Sequence, residues 1–279
     1  MKVPIPGGKE YKYIKQLLRS THLHTICEEA KCPNLSECFH QGTATFLILG
    51  DICTRNCGYC HVTSGNPNPI NQQEPVDIAK SVKHLGLSHV VITSVTRDDL
   101  EDGGAGLFVR TIQEIKKISP NCTIEVLTPD FKGNHQSLHS ILDAGPDVFN
   151  HNIEVVKELF STIRPEGDYQ LSISLLQHVK EYKPEIITKS GFMVGLGETK
   201  DQITELLKDL VSVSVDILTI GQYLQPSIHH LPVDRYYSPD EFDQLKDQAL
   251  RRGFSYVESG PLVRSSYHAE NALKHVRCS

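Results

Sequence analysis

Short apolar runs alternate with amphipathic stretches along most of this chain. The runs at residues 45–50, 89–94, 123–127, 147–151, 185–194 and 216–222 are rich in Val, Ile and Leu and read as buried strands. Between them, apolar positions recur at helical spacing over 76–85, 107–118, 136–144, 169–182 and 200–211, and a further helical stretch at 239–251 follows the last run. Strands that alternate with helices predict parallel βα units and an α/β fold. Six such strands are too few to close an eight-stranded barrel, so the pattern predicts an open, partial (β/α)6 barrel. The chain before residue 42 and after about residue 236 falls outside the repeat. That divides the sequence into an N-terminal extension (1–42), a barrel body (43–235) and a C-terminal extension (236–279). A basic amphipathic helix is expected over 9–19. It reads as a solvated face, with a docking surface for an acidic partner as the minority reading.

Composition narrows the classes. The chain has 279 residues, enough for one large domain or two small ones. Its 28 basic and 34 acidic residues leave a formal charge of −6, which gives no support to a general nucleic-acid binder. No apolar run approaches the roughly 18 residues that span a bilayer, so no membrane association is expected. The first residues, MKVPIPGGKEYKYIKQLL, lack the apolar core of a secretory signal, and a reducing cytoplasm is the expected compartment.

Among eight cysteines, six crowd into one region. Cys27, Cys32 and Cys38 form C-x4-C-x5-C, and Cys53, Cys57 and Cys60 form C-x3-C-x2-C. Structural zinc wants four tetrahedral ligands, usually as two paired knuckles, and disulfides do not suit a chain without an export signal. Thiolate triplets suit a cubane iron–sulfur cluster in which the protein ligates three irons. By spacing alone, iron–sulfur ranks first, zinc second, and structural or redox thiols third. Cys122 opens an apolar strand pattern and reads as a small buried hydrophobe. Cys278, beside the chain end, reads as a frayed and exposed thiol.

The second triplet follows the first strand in TATFLILGDICTRNCGYCHV. That arrangement, with an aromatic Tyr59 just before the last cysteine, resembles the radical S-adenosylmethionine enzymes. The stretch CEEAKCPNLSEC, this motif and the late GPLVRSSYHAE together resemble the lipoyl synthase family, in the same order along nearly the whole chain. The resemblance implies two 4Fe–4S clusters. Cys53, Cys57 and Cys60 would hold the one that cleaves S-adenosylmethionine to a 5′-deoxyadenosyl radical. Cys27, Cys32 and Cys38 would hold an auxiliary cluster, completed by a serine of the RSSY motif: Ser266 by position, ahead of Ser265. Oxygen is a poorer partner for iron than thiolate, which suits a cluster that must be opened. The extensions would have to fold over the mouth for Ser266 to meet these cysteines. Arg264 could orient the serine, or equally serve as an ordinary arginine at a helix start.

The resemblance further implies insertion of two sulfur atoms, at carbons six and eight of an octanoyl chain held on a lysine of a lipoyl carrier domain. Sulfur would come from the auxiliary cluster, and two S-adenosylmethionines would be used per lipoyl group. Those C–H bonds are unactivated, so a carbon radical is needed where no side-chain base would serve. Implied partners are the glycine-cleavage H protein or the acyltransferase subunits of 2-oxoacid dehydrogenases, and an electron donor such as ferredoxin or flavodoxin. Ligands of parallel βα folds gather at the C-terminal ends of strands. Polar groups at such ends include Thr93, Ser94, Arg97, Asp98, Asp99, Asn150, His151, Glu154, Lys189, Ser190, Gln222, Tyr223 and Gln225. Thr93, Asn150 and Lys189 are the candidates for S-adenosylmethionine contact; the same groups also suit plain loop caps.

Other motifs have plainer readings. GGAG at 103–106 lacks the full dinucleotide-loop spacing and reads as a turn that opens a helix. GLGE at 195–198 reads as a close backbone approach to a ligand or a tight turn. The pair His229–His230 sits between prolines with no matching ligand spacing and reads as solvated loop histidines. Two competing functions remain. A two-cluster methylthiotransferase acting on tRNA or a ribosomal protein is disfavoured by the first triplet and RSSY. A non-catalytic zinc or iron–sulfur module would not need the α/β body.

Overall fold

The computed structural model describes residues 16, 19, 23–29, 32, 34 and 45–278. Of the helix expected over 9–19, only Gln16 and Arg19 fall among these, both helical; the rest lies outside the described residues. The chain forms two compact units. The first comprises residues 1–55 and 61–147, and the second residues 56–60 and 148–279. The chain therefore enters the second unit for five residues, Asn56–Cys60, inside the second cysteine triplet.

In the first unit, β1 (His24–Thr25) runs antiparallel to β2 (Thr45–Ile48). From β2 the sheet continues in parallel through β5 (His89–Ser94) to β6 (Thr123–Leu127). A separate short parallel pair, β3 (Ile52–Cys53) with β4 (Thr63–Ser64), brackets the cysteine loop. The helices are α1 (Ile26–Glu29), α2 (Glu74–Leu85), α3 (Ala105–Ile118) and α4 (His135–Ala144). GGAG does open a helix, with Gly104 at the N-cap of α3. Asn134 caps α4 by accepting a hydrogen bond from the Ser137 N–H at 3.1 Å. Ile78, Val82, Phe108 and Ile112 from α2 and α3 are buried with Ile92 and Val126 of the strands, as parallel strands covered by helices require.

In the second unit, β7 (Val148–Asn150), β8 (Ile187–Val194), β9 (Ile217–Gln222) and β10 (Tyr256–Gly260) are parallel neighbours in that order. The helices are α5 (Lys157–Ile163), α6 (Tyr169–Tyr182), α7 (Lys200–Ser212), α8 (Pro239–Leu250) and α9 (Ala269–Cys278). Capping boxes start α7 at Thr199–Gln202 and α8 at Ser238–Glu241. Phe160, Leu176, Leu206, Leu210, Ile220 and Phe242 lie in one apolar core. The six expected strands are all present, within two residues of their expected starts. The βα alternation also runs past residue 236 into α8 and β10. The strand YVESG has only two apolar residues, Tyr256 and Val257, and neither alternates nor forms an apolar run, so its pairing with β9 was not legible from pattern. Helices α5 and α9 were not expected either. Cys122 is buried, as its context predicted, and Cys278 is exposed on the last residue of α9.

Candidate functional site

In the first unit, Cys53 ends β3 as the chain turns toward the second unit. Its Sγ accepts hydrogen bonds from the Arg55 N–H and the Thr96 N–H, each at 3.4 Å. Both donors are backbone N–H groups aimed at one sulfur. The loop is pinned by backbone and side-chain bonds alike. Thr54 N–H and Oγ1–H both donate to Thr96 O at 3.0 Å, and the Asp98 N–H donates to Thr54 Oγ1 at 3.0 Å. Arg55 closes the arrangement. Its guanidinium donates to Asp98 (2.8 and 3.0 Å) and to Asp130 (2.6 Å, twice). Burial alone would lower the Arg55 pKa, but the bonds and charges of Asp130 and Asp98 outweigh it and hold the group well above its ordinary value.

In the second unit, Cys57 and Cys60 are joined by a turn in which the Cys60 N–H donates to Cys57 O at 3.1 Å. The turn is held from both sides. The Gly58 N–H donates to Ile163 O at 3.0 Å, and the Leu231 N–H donates to Gly58 O at 3.2 Å. His230 adds a bond from Nε2 to Cys60 O at 2.9 Å, with Nδ1 at 2.8 Å from Ser227 Oγ. A carbonyl only accepts, so Nε2 carries the proton. This corrects the expectation of two solvated loop histidines. His229 is exposed, but His230 is tied to the cysteine turn, and no local pattern could have shown that.

Tyr59, inside the turn, hydrogen-bonds to Glu154. Burial and the Glu154 charge push the Tyr59 hydroxyl well above its usual range. Burial likewise raises the Glu154 carboxyl, against the opposing pull of Arg164 and the Asn152 bond. Asn152 Nδ2 donates to Glu154 Oε1 at 3.1 Å and to Ser265 Oγ at 2.5 Å. Sequence reasoning named Glu154 but missed Asn152 two residues earlier. The RSSY segment is seated on β9 at Gly221, where a Cβ would stand 2.3 Å from Val263 O. Ser266 lies on the following turn, its carbonyl accepting from the Ala269 N–H at 3.4 Å.

Of the first triplet, Cys27 falls on α1, Cys32 is half-buried, and Cys38 lies outside the described residues. Of the S-adenosylmethionine candidates, Thr93 is buried in the first unit and donates to Leu127 O at 3.0 Å. Asn150 and Lys189 are buried register partners on β7 and β8 in the second. GLGE forms the tight turn expected. Gly195 adopts φ +99°, and a Cβ there would come 2.1 Å from Gln222 Nε2. Glu198 accepts from the Gly195 and Leu196 N–H groups at 2.7 and 2.9 Å.

Three thiols in a C-x3-C-x2-C loop, one already receiving two N–H bonds, fit the ligand set of a cubane. Among the described residues no three His, Cys, Asp or Glu side chains converge as a single metal ion would need. Within the first unit the buried Ser94 Oγ, and within the second the buried Asn152 Oδ1, have no hydrogen-bond partner among the described residues. No described helix is long and apolar enough to cross a membrane.

A model of the radical S-adenosylmethionine superfamily matches residues 47–210, and a model of the N-terminal domain of lipoyl synthase matches residues 1–32. The chain is 52% identical to the lipoyl synthase of Rubrobacter xylanophilus over 99% of this chain and 86% of the relative. It is 54% identical to that of Alcanivorax borkumensis, over 99% of this chain and 84% of the relative. Among solved structures, the fold is similar to an FeFe-hydrogenase maturase from Carboxydothermus hydrogenoformans (TM-score 0.63, 15% identity, 82% of this chain and 55% of that one). It is also similar to methylornithine synthase (TM-score 0.58, 15% identity, 76% of this chain and 70% of that one). These two likenesses bear on the fold alone, and they agree with the α/β architecture read from the strand pattern.

Proposed function

The chain belongs to the lipoyl synthase family of radical S-adenosylmethionine enzymes, and from that membership we propose that it inserts sulfur at carbons six and eight of a protein-bound octanoyl group. The family uses a 4Fe–4S cluster with S-adenosylmethionine and acts on a lipoyl carrier protein. The single observation that carries the finer reading is identity above half along nearly the whole chain, with both cysteine triplets and RSSY in family order.

When bound, the first cluster and S-adenosylmethionine supply a carbon radical strong enough to take hydrogen from an unactivated chain, and a second cluster supplies sulfur. We assign Cys53, Cys57 and Cys60 to the first cluster, and Cys27, Cys32, Cys38 and Ser266 to the second. The Arg55 and Thr96 N–H groups hold the Cys53 sulfur of the first set; His230 and Leu231 hold the turn that bears the other two. Thr93, Asn150 and Lys189 bind S-adenosylmethionine, two molecules per lipoyl group. Each is buried, so each offers a polar group inside water-excluding walls. The substrate is the octanoyl-lysine of a glycine-cleavage H protein or of a 2-oxoacid dehydrogenase acyltransferase. Electrons come from a ferredoxin or flavodoxin, and the setting is the cytoplasm.

The test is incubation with octanoylated carrier peptide, reductant and S-adenosylmethionine under anaerobic conditions, followed by mass spectrometry. A gain of two sulfurs supports the reading, and unchanged peptide with intact radical chemistry refutes it. Reconstituted protein carries about eight irons per chain, two cubanes of four. Replacing Cys53, Cys57 and Cys60 by Ala leaves one cluster and abolishes S-adenosylmethionine cleavage. Replacing Cys27, Cys32 and Cys38 preserves cleavage and abolishes sulfur insertion.

A further inference from the structure

Helix α4 opens with the run His135, Gln136, Ser137, Leu138, His139. The two histidines stand four residues apart, so they share one face of the helix, with Cβ atoms about 5–6 Å from each other. Their ring centroids are 6.4 Å apart and the ring planes 45° apart. His135 is exposed and His139 half-buried, and both belong to the first unit.

The helix that carries them is fixed at both ends. Asn134 Oδ1 accepts from the Ser137 N–H at 3.1 Å, and the Leu138 N–H donates to Asn134 O at 3.2 Å. At the far end Lys116 Nζ donates to Ala144 O at 2.9 Å and to Gly145 O at 2.6 Å. Ser137, Leu138, Ile141 and Leu142 are buried and seat the helix on the core. Both imidazoles therefore leave a rigid backbone, and only their own side-chain rotations are spent on meeting a ligand.

Two imidazoles one helical turn apart are the pattern by which a helix holds zinc. Neutral imidazole suits zinc, copper and nickel, whereas calcium and magnesium want oxygen ligands. We propose that His135 and His139 form a two-histidine chelate for a first-row divalent cation of that group, with one ring nitrogen of each at about 2.0–2.1 Å from the ion. Rotation of the exposed His135 ring closes the remaining gap. No third His, Cys, Asp or Glu converges on the pair among the described residues, so water fills the other positions. Where the hydrolytic motif H-E-x-x-H carries its glutamate base, this helix has Gln136. The site therefore binds a cation without a built-in base to turn bound water on a substrate. The same helix delivers the second nitrogen as delivers the first, so the second bond forms at high effective concentration. The pair uses none of the cysteines, and the proposal does not depend on the proposed reaction.

The test uses the anaerobically reconstituted full chain with nickel(II) as the probe, so that any uptake at thiols is common to every variant. The variants are H135Q, H139Q, H135Q/H139Q and H139Q/S140H. The last keeps two histidines on α4 but turns one of them by about 100° around the helix. Gln is a good helix former, and melting curves without metal check that each variant folds. Calorimetric titration reads the binding. The parent takes up one equivalent of nickel(II) that H135Q/H139Q lacks. Each single variant weakens that equivalent by about tenfold or more, no less than an outer-shell partner of a metal is worth. H139Q/S140H binds as weakly as H139Q. Saturating nickel(II) raises the parent's melting temperature more than that of H135Q/H139Q. Equal uptake by the parent and H135Q/H139Q overturns the site. Weakening in only one of the two single variants, or parental affinity in H139Q/S140H, overturns the chelate, because binding would then rest on one imidazole or on histidines at any spacing.

Discussion

Removing Arg55 should expose how much the cysteine loop depends on one buried cation. The side chain is 4% exposed, and it donates four hydrogen bonds of 2.6–3.0 Å to Asp98 and Asp130, the latter 1% exposed. Arg55→Met keeps most of the apolar stem and removes the charge. Two carboxylates then remain with no guanidinium between them. Breaking a buried pair by deleting one partner costs about 3–5 kcal/mol, most of it the penalty of the charge left behind. For a chain of this size that is a fall in melting temperature of about 6–20 °C. The assay is thermal and urea unfolding of the iron-free protein, since a bound cluster would add its own stabilisation. Arg55→Lys keeps the charge but not the planar fork, and it should fall between the two. The Arg55 N–H to Cys53 Sγ bond should loosen with the loop, so reconstitution of the first cluster should drop in the same order. A cost below about 1 kcal/mol for Arg55→Met would refute the reasoning, because it would mean that the two carboxylates are not desolvated as the structure shows.

Three further outcomes are expected. His230→Ala deletes the bond to Cys60 O, worth about 1 kcal/mol, and should weaken retention of the first cluster about fivefold in a chelator competition. His230→Gln, which keeps an N–H donor, should recover part of that. Gly221→Ala drives a Cβ against Val263 O and should cost about 1–3 kcal/mol; melting curves report this, and iron analysis should show the auxiliary cluster depleted before the first. Tyr237 is pushed up to about 12 by burial and by its bond to Glu198. A pKa raised in the folded state contributes stability that is complete below the ordinary value of 10.0 and is lost as pH climbs through about 12. Tyr237→Phe should therefore flatten the alkaline limb of stability between those values, and ultraviolet titration should show one late-ionising phenol fewer.

Much of this protein is written in local patterns. The strands at 45–48, 89–94, 123–127, 148–150, 187–194 and 217–222 announce themselves because a buried parallel strand must be apolar along its length. Helix starts at Thr199 and Ser238 carry their own caps. The cysteine triplets are legible because thiol spacing is a property of consecutive residues, whereas RSSY stands out only through the family resemblance. What the tertiary structure decided depends on residues far apart in sequence. Arg55 meets Asp130 across 75 positions, His230 meets Cys60 across 170, and Asn152 meets Ser265 across 113. In each pair the bond is made to a group that allows many partners: a carboxylate, a backbone carbonyl or a hydroxyl. Strand β10 likewise became a strand only through its neighbour β9. The sequence by itself determined six of the strands and most of the helices between them, and it marked the cysteines proposed to hold clusters, since periodicity and thiol spacing act over a few residues. Only the tertiary structure decided which side chains hold those residues in place, since hydrogen bonds and buried charges act through space and leave no trace in local order.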